Sequence, residues 1–215
     1  MNWQDILYIL FAVFFGYLPY KVLQKKSPRG LKDITLKTSL FLMVWFLLFS
    51  LLLLLQIYKP TIDLSLGPLG IFLFTTLVWI FVPLIVPRYR NYPKKFLDSG
   101  KKLYIGELNP KTYYLKYFEV VFQQVKFIYL LEVVLGGLSI WEKLLSFTII
   151  IVIIHLGNLF FLPIKETLFF TLLSLPMAAV FGILITQGYL LFTASLHLWF
   201  YLLYSVAPWL GKDKS

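Results

Sequence analysis

Long uninterrupted apolar runs dominate this chain of 215 residues. One of them, SLFLMVWFLLFSLLLLLQIY at residues 39–58, approaches the roughly 20 residues that a helix needs to cross a bilayer. The chain is 60 % hydrophobic and 14 % charged, whereas a soluble domain is about half apolar and about a quarter charged. Since backbone polar groups must be satisfied inside lipid, these runs predict an all-α, polytopic transmembrane helical bundle.

Seven apolar segments are predicted to span the membrane. They cover residues 4–20, 38–58, 66–86, 112–135, 140–160, 166–186 and 188–207. The first segment lacks a basic start and a small-residue cleavage site, so we expect a retained span rather than a signal peptide. We divide the chain into an N-terminal part with three spans, residues 1–111, and a core of four spans, residues 112–215.

Basic residues are distributed very unevenly between the two sides of this arrangement. The loops after the first and third spans, Lys165 and the C-terminal tail together carry sixteen Lys and Arg residues, and the opposite side carries only Lys59 and Lys143. The positive-inside rule therefore predicts an N-terminus outside and a C-terminus in the cytoplasm, in a protein of the plasma membrane. We assign the net charge of +10 to these loops, which would lie on anionic lipids, and expect no nucleic acid partner.

The segment KYFEVVFQQVKF (116–127) places polar side chains inside the fourth predicted span. Lys116, Glu119, Gln123 and Lys126 follow one another at helical spacing and share one face. Ionisable residues within spans are costly and are functional candidates by default. Pairing of the two lysines with Glu119 along the helix would instead explain the stripe without a function.

Two other predicted spans contain the only histidines of the chain, His155 and His197. Asn158 and Tyr201 follow them at helical spacing. At 1.5 Å per residue, Glu119 lies about 12 Å from the cytoplasmic end of its span and His155 about 8 Å. His197 lies about 14 Å from the outer end of its span, near mid-membrane. The three side chains can therefore share one layer of the bundle, although each histidine could also be an interhelical hydrogen-bonding group.

Residues 115–205 resemble the CPBP family of CAAX proteases and bacteriocin-processing intramembrane peptidases. FEVVFQQ (118–124) is similar to the EExxFR motif of the family, with Glu119 on the second Glu, Phe118 in place of the first Glu and Gln123 in place of Arg. VFGILITQGYLLFTASLHLWFYL (180–202) looks like the glycine-rich helix and final histidine helix. His155 and His197 match the histidines of the second and third motifs, with Tyr201 where the third motif has Asn.

The resemblance implies an intramembrane endopeptidase that cleaves a membrane-anchored or prenylated peptide near the cytoplasmic face. In that function Glu119 would be the general base toward a bound water. His155 would hold that water or donate to the leaving amine, and His197 with Tyr201 would donate to the developing oxyanion. Gln123 and Asn158 would support these groups.

Two other functions stay open. A catalytically inactive relative would bind peptide segments or partner proteins, and a small ion-coupled transporter would use the charged stripe as an ion path. We expect no cofactor. Glu119, His155 and His197 would be an acceptable ligand set for zinc, but no HExxH-like helical pair supports such a site.

Overall fold

The computed structural model describes residues 34–57, 62–89, 110–160 and 164–210, together with the isolated positions Leu7 and Leu18. Every regular element in these ranges is helical, which confirms the all-α class for them. Their six α-helices are α1 (Leu36–Gln56), α2 (Leu66–Tyr89), α3 (Pro110–Tyr129), α4 (Ile140–Leu156), α5 (Ile164–Thr186) and α6 (Leu190–Leu210). A π-helical turn, Leu130–Val134, extends α3, and a 3-10 turn, Gly157–Phe160, follows α4. Apart from Leu7 and Leu18, the predicted span 4–20 lies outside the described residues.

Four of the described helices are long and apolar enough to cross a membrane. The segments are Leu36–Gln56, Leu66–Val86, Ile140–Leu159 and Thr167–Thr186, in agreement with four of the predicted spans. Leu190–Val206 is a shorter apolar stretch, and α3 carries four charged residues. The protein is therefore a helical bundle of the membrane type, and the number of seven spans stays a prediction.

The third helix, α3, lies at the centre of the described bundle. It packs against α1, α2, α5 and α6, and its π-helical turn packs against α4 and α5. Leu115, Val120 and Ile128 of α3 are fully buried. Because α3 is surrounded, the polar stripe that it carries can be sheltered from lipid by its neighbours.

Apolar side chains cover the outside of the bundle and polar side chains lie inside. Leu55, Leu66 and Leu172 expose 83 %, 89 % and 71 % of their surface. In contrast, Lys116 and Glu119 expose only 8 % and 6 %. Soluble proteins rarely expose apolar surface on this scale, so the distribution is that of a bundle surrounded by lipid.

Two hydrogen bonds, one between connecting segments and one between the first turns of two helices, fix which helix ends meet. The backbone N–H of Asp63, between α1 and α2, donates to the carbonyl of Gly188, between α5 and α6, at 2.8 Å. At the opposite ends of the helices, Ser39 Oγ donates to the carbonyl of Lys111 at 2.6 Å. Gly188 has a φ of 90°, a conformation that favours glycine. The helices therefore alternate in direction along the chain.

Asp63 also organises the start of α2. Its Oδ1 accepts a hydrogen bond from the backbone N–H of Ser65 at 2.8 Å, and this bond holds the pKa of Asp63 below its usual range. An ionised Asp63 close to the first turn of α2 is favourable because the N-terminal end of a helix carries partial positive charge.

α5 packs closely against α4 at Gly182. A Cβ atom at this position would lie 2.9 Å from Leu144 Cδ2 and 3.1 Å from Phe147 Cδ1. Gly182 is the middle residue of the row of small residues Ala178, Gly182 and Thr186. This row therefore contacts α4 of the same chain through its middle residue. Small residues allow such close packing of membrane helices, where lipid provides no hydrophobic driving force between them.

We expect Gly182→Leu to destabilise the bundle by about 1–3 kcal/mol, because the larger side chain would overpack the contact between α4 and α5. The measurement is reversible unfolding of the purified protein in detergent micelles. The matched control is Gly70→Leu in α2, where an added Cβ meets nothing within 4 Å. Equal losses of stability for the two variants would contradict this account of Gly182.

Candidate functional site

Glu119 connects three of the four residues of the polar stripe on α3. Its Oε1 accepts hydrogen bonds from Lys116 Nζ at 2.8 Å and from Gln123 Nε2 at 2.9 Å. These partners lie three residues before and four residues after Glu119, which are the spacings at which helical side chains meet. The carboxylate is thereby held by donors from its own helix.

Lys126, the fourth residue of the stripe, uses a different partner. Its Nζ lies 4.8 Å from the ring centroid of Phe122, in a cation–π arrangement. The side chain is half-buried, and Glu119 acts on it electrostatically. The stripe thus contains one ion pair at hydrogen-bonding distance, between Lys116 and Glu119, and one lysine held over an aromatic ring.

Tyr201 of α6 lies over the ammonium group of the ion pair. Lys116 Nζ lies 4.3 Å from the centroid of the Tyr201 ring, and both members of the pair are buried. Removing one partner of a buried pair leaves an uncompensated charge in an apolar surrounding, which is strongly destabilising. Lys116 and Glu119 therefore depend on each other.

His197 of α6 is held by a hydrogen bond from α3. Its Nδ1 lies 2.8 Å from Gln124 Nε2, and its ring stacks on Tyr201 with a centroid distance of 5.2 Å. An amide nitrogen only donates, so Nδ1 accepts and the ring proton is on Nε2. The ring of His197 therefore keeps one N–H donor beyond the bond to Gln124.

His155 has the opposite arrangement. Its Nδ1 lies 2.8 Å from the backbone carbonyl of Ile151, one turn earlier on α4. A carbonyl oxygen only accepts, so Nδ1 carries a proton, and in the neutral ring Nε2 carries a lone pair. The two histidines of the chain thus have different tautomers and offer complementary hydrogen-bonding groups.

Both histidines line one partly open cavity of about 50 Å³. Tyr201 lines the same cavity. The remaining walls are mostly apolar and come from the end of α3, from α4, α5 and α6: Phe127, Ile151, Phe170, Leu173, Ser174, Met177, Ala178, Phe181 and Phe200. An apolar cavity with a few polar groups is the usual form of a small-molecule site.

Other residues that we predicted for the site are not among those that line the cavity. Glu119 and Gln123 are hydrogen-bonded to each other and are not among the side chains that line the cavity. Glu119 does act electrostatically on Tyr201, which lines it. Asn158 lies in the 3-10 turn after α4 and does not line the cavity either. The structure thus brings together His155, His197 and Tyr201 at the cavity, and pairs Glu119 with Lys116, whose Nζ lies over the Tyr201 ring.

Sequence reasoning missed Gln124, which fixes the orientation of His197. Gln124 is 2 % exposed and lies on a different face of α3 from the stripe. The sequence did contain a signal for Gln124, because it is a second amide directly beside Gln123 in an otherwise apolar stretch. A buried amide needs hydrogen-bonding partners, and His197 on α6 is the partner of the Gln124 nitrogen, whereas the Gln124 oxygen is buried without one among the described residues.

Among the residues that the structure describes, no three His, Asp or Glu side chains lie close enough together to hold a metal ion. Comparisons of the chain with models of known protein families, with curated proteins and with solved structures give no match. The resemblance to CPBP peptidases therefore stays an expectation that rests on the sequence motifs in residues 115–205.

We expect Lys116→Met to destabilise the protein by about 3–5 kcal/mol, because it leaves the buried Glu119 carboxylate without its cation. The double variant Lys116→Met/Glu119→Gln removes both charges and is expected to recover most of this loss. The measurement is the free energy of unfolding in detergent micelles.

The matched control is Lys126→Met, which removes a lysine that lies over a ring instead of in an ion pair at hydrogen-bonding distance. Its expected cost is about 1 kcal/mol. A double variant that is as unstable as Lys116→Met alone would show that the pair does not stabilise the bundle in this way.

Proposed function

We propose that this protein is an integral membrane protein that binds an apolar, membrane-embedded segment in the cavity lined by His155 and His197, without hydrolysing it. The bound segment would belong to a membrane-anchored peptide or protein. This is the function expected of a catalytically inactive relative of the CPBP peptidases.

The position of Glu119 carries the proposal. A general base must lie within a hydrogen bond, or one water, of the proton that it removes. Glu119 Oε1 instead accepts from Lys116 and Gln123, and the residue is not part of the cavity wall. In the proposed function the carboxylate therefore stabilises α3 and takes no part in the chemistry of a bound ligand.

The walls of the cavity favour binding of an apolar ligand. Phe127, Phe170 and Phe181 supply apolar surface, and the two histidine rings supply polar contacts. Sites of this kind derive affinity from apolar burial and orientation from a few hydrogen bonds. The cavity is partly open, and in the proposed function the ligand enters it from the lipid.

We also propose the finer membrane arrangement of seven spans, with the N-terminus outside and the C-terminus in the cytoplasm. The alternation of the described helices supports it, because the start of α1 and the start of α3 meet through Ser39 and Lys111. Both starts adjoin the basic loops, which would face the cytoplasm and contact anionic lipids of the plasma membrane.

A second candidate is the intramembrane peptidase. The observation in its favour is that His155, His197 and Tyr201 line one cavity. The Nε2 lone pair of His155 would then accept a proton from water, and the Nε2–H of His197 would donate to the oxyanion. In this candidate His155, rather than Glu119, would be the base.

A farnesylated peptide with a photoreactive group distinguishes the two candidates. With the full chain in nanodiscs, we expect saturable binding and no cleavage. Loss of one hydrogen bond to the ligand corresponds to a five- to tenfold weaker affinity, so His155→Leu and His197→Leu should each weaken binding by about that factor.

The variant Lys116→Met/Glu119→Gln provides the control, since it removes the carboxylate together with its cation. We expect it to bind the peptide as the wild type does. Cleavage by the wild type that this variant loses would restore Glu119 as the base and refute the proposal. Cleavage that depends on His155 alone would favour the second candidate.

A further inference from the structure

We infer that the cavity recognises one secondary amide carried on an apolar chain, with the amide N–H donated to His155 and the amide carbonyl accepting from His197. The inference rests on the proposed binding function and specifies the chemical group of the ligand. Its basis is the opposite hydrogen-bonding state of the two rings.

His155 supplies an acceptor. Because Nδ1 is used by the carbonyl of Ile151, the Nε2 atom, on the other side of the ring, is the one that remains for a ligand. In the neutral ring this atom bonds only to a donor. Esters, ketones and carboxylates offer only acceptor oxygens and leave it without a partner.

His197 supplies a donor. Its Nδ1 accepts from Gln124, so Nε2–H remains for a ligand. This group bonds only to an acceptor, such as a carbonyl oxygen. A protonated amine offers donors alone, and the cations Lys116 and Lys126, which act electrostatically on the ring of His155, would also repel it.

An amide satisfies both rings with one small group. Its N–H and C=O point in opposite directions, so it can bridge two rings that come from different helices, α4 and α6. The cavity, of about 50 Å³, is partly open. In the arrangement that we infer, the amide lies between the two rings and the apolar chain extends out of the cavity toward the lipid.

Matched twelve-carbon probes test the assignment on the full chain in nanodiscs. N-methyldodecanamide has both a donor and an acceptor, and methyl dodecanoate has the same shape without the donor. We expect the amide to bind about five- to tenfold more tightly, the factor typical of one hydrogen bond. Isothermal titration calorimetry with each probe gives the ratio of affinities.

The variants assign each half of the amide. His155→Leu should reduce the amide-to-ester ratio to about one, because the N–H then has no acceptor. His197→Leu should weaken both probes and preserve the ratio, since both carry the carbonyl. Equal binding of amide and ester to the wild type would overturn the amide assignment while leaving the proposed binding function intact.

Other outcomes separate the two proposals further. If none of the probes binds saturably, both the proposed binding function and the amide assignment are overturned. Binding of 1-dodecanol as tightly as the amide, with the same dependence on His155, would show that a hydroxyl is the recognised group and would overturn the inference.

An independent measurement uses the wild-type protein, so its result does not depend on whether a variant folds. Nitrogen-15 spectra of histidine-labelled protein should show His155 protonated at Nδ1 and His197 protonated at Nε2. The same tautomer in both rings would overturn the inference, because the cavity would then lack one of the two complementary groups.

Discussion

The Glu119 carboxylate is the constraint on which the described bundle depends. An ionised group in an apolar interior needs donors, and Glu119 takes them from Lys116 and Gln123 on its own helix. The resulting pair must still be kept away from lipid. The central position of α3 and the ring of Tyr201 on α6 provide that shelter.

The same packing prepares the cavity. Tyr201 lies against Lys116 on one side and stacks on His197 on the other, so the ion pair and the cavity share a wall. Gln124 then fixes His197 from α3, and the carbonyl of Ile151 fixes His155 on α4. The atom that contacts His197 is the donor nitrogen of the Gln124 amide, and the atom that contacts His155 is the acceptor oxygen of Ile151, so the two rings have opposite tautomers.

Apolar length and helical spacing predicted much of this arrangement. Four predicted spans agree with helices that are long and apolar enough to cross a membrane, because that requirement acts on each segment independently. The pairing of Lys116 with Glu119 follows from their spacing on one helix.

Depth along the helices placed Glu119, His155 and His197 in one layer, but depth contains no information about lateral position. The structure accordingly puts both histidines on the cavity wall, whereas Glu119 is hydrogen-bonded to Lys116 and Gln123 and does not line the cavity. Gln124 could not be assigned, since its partner lies 73 residues later on another helix.

Protection of a cysteine in the cavity tests the central claim most directly. The chain contains no cysteine, so a single introduced thiol reports without background. Ser174 lines the cavity, whereas its neighbour Leu175 is exposed on the outside of the bundle. An apolar peptide that binds saturably is added at ten times its Kd. Alkylation of Ser174→Cys by a membrane-permeant maleimide should then slow about tenfold, because only about a tenth of the protein remains free. Alkylation of Leu175→Cys should not change. Equal protection of both thiols, or of neither, would contradict binding in this cavity.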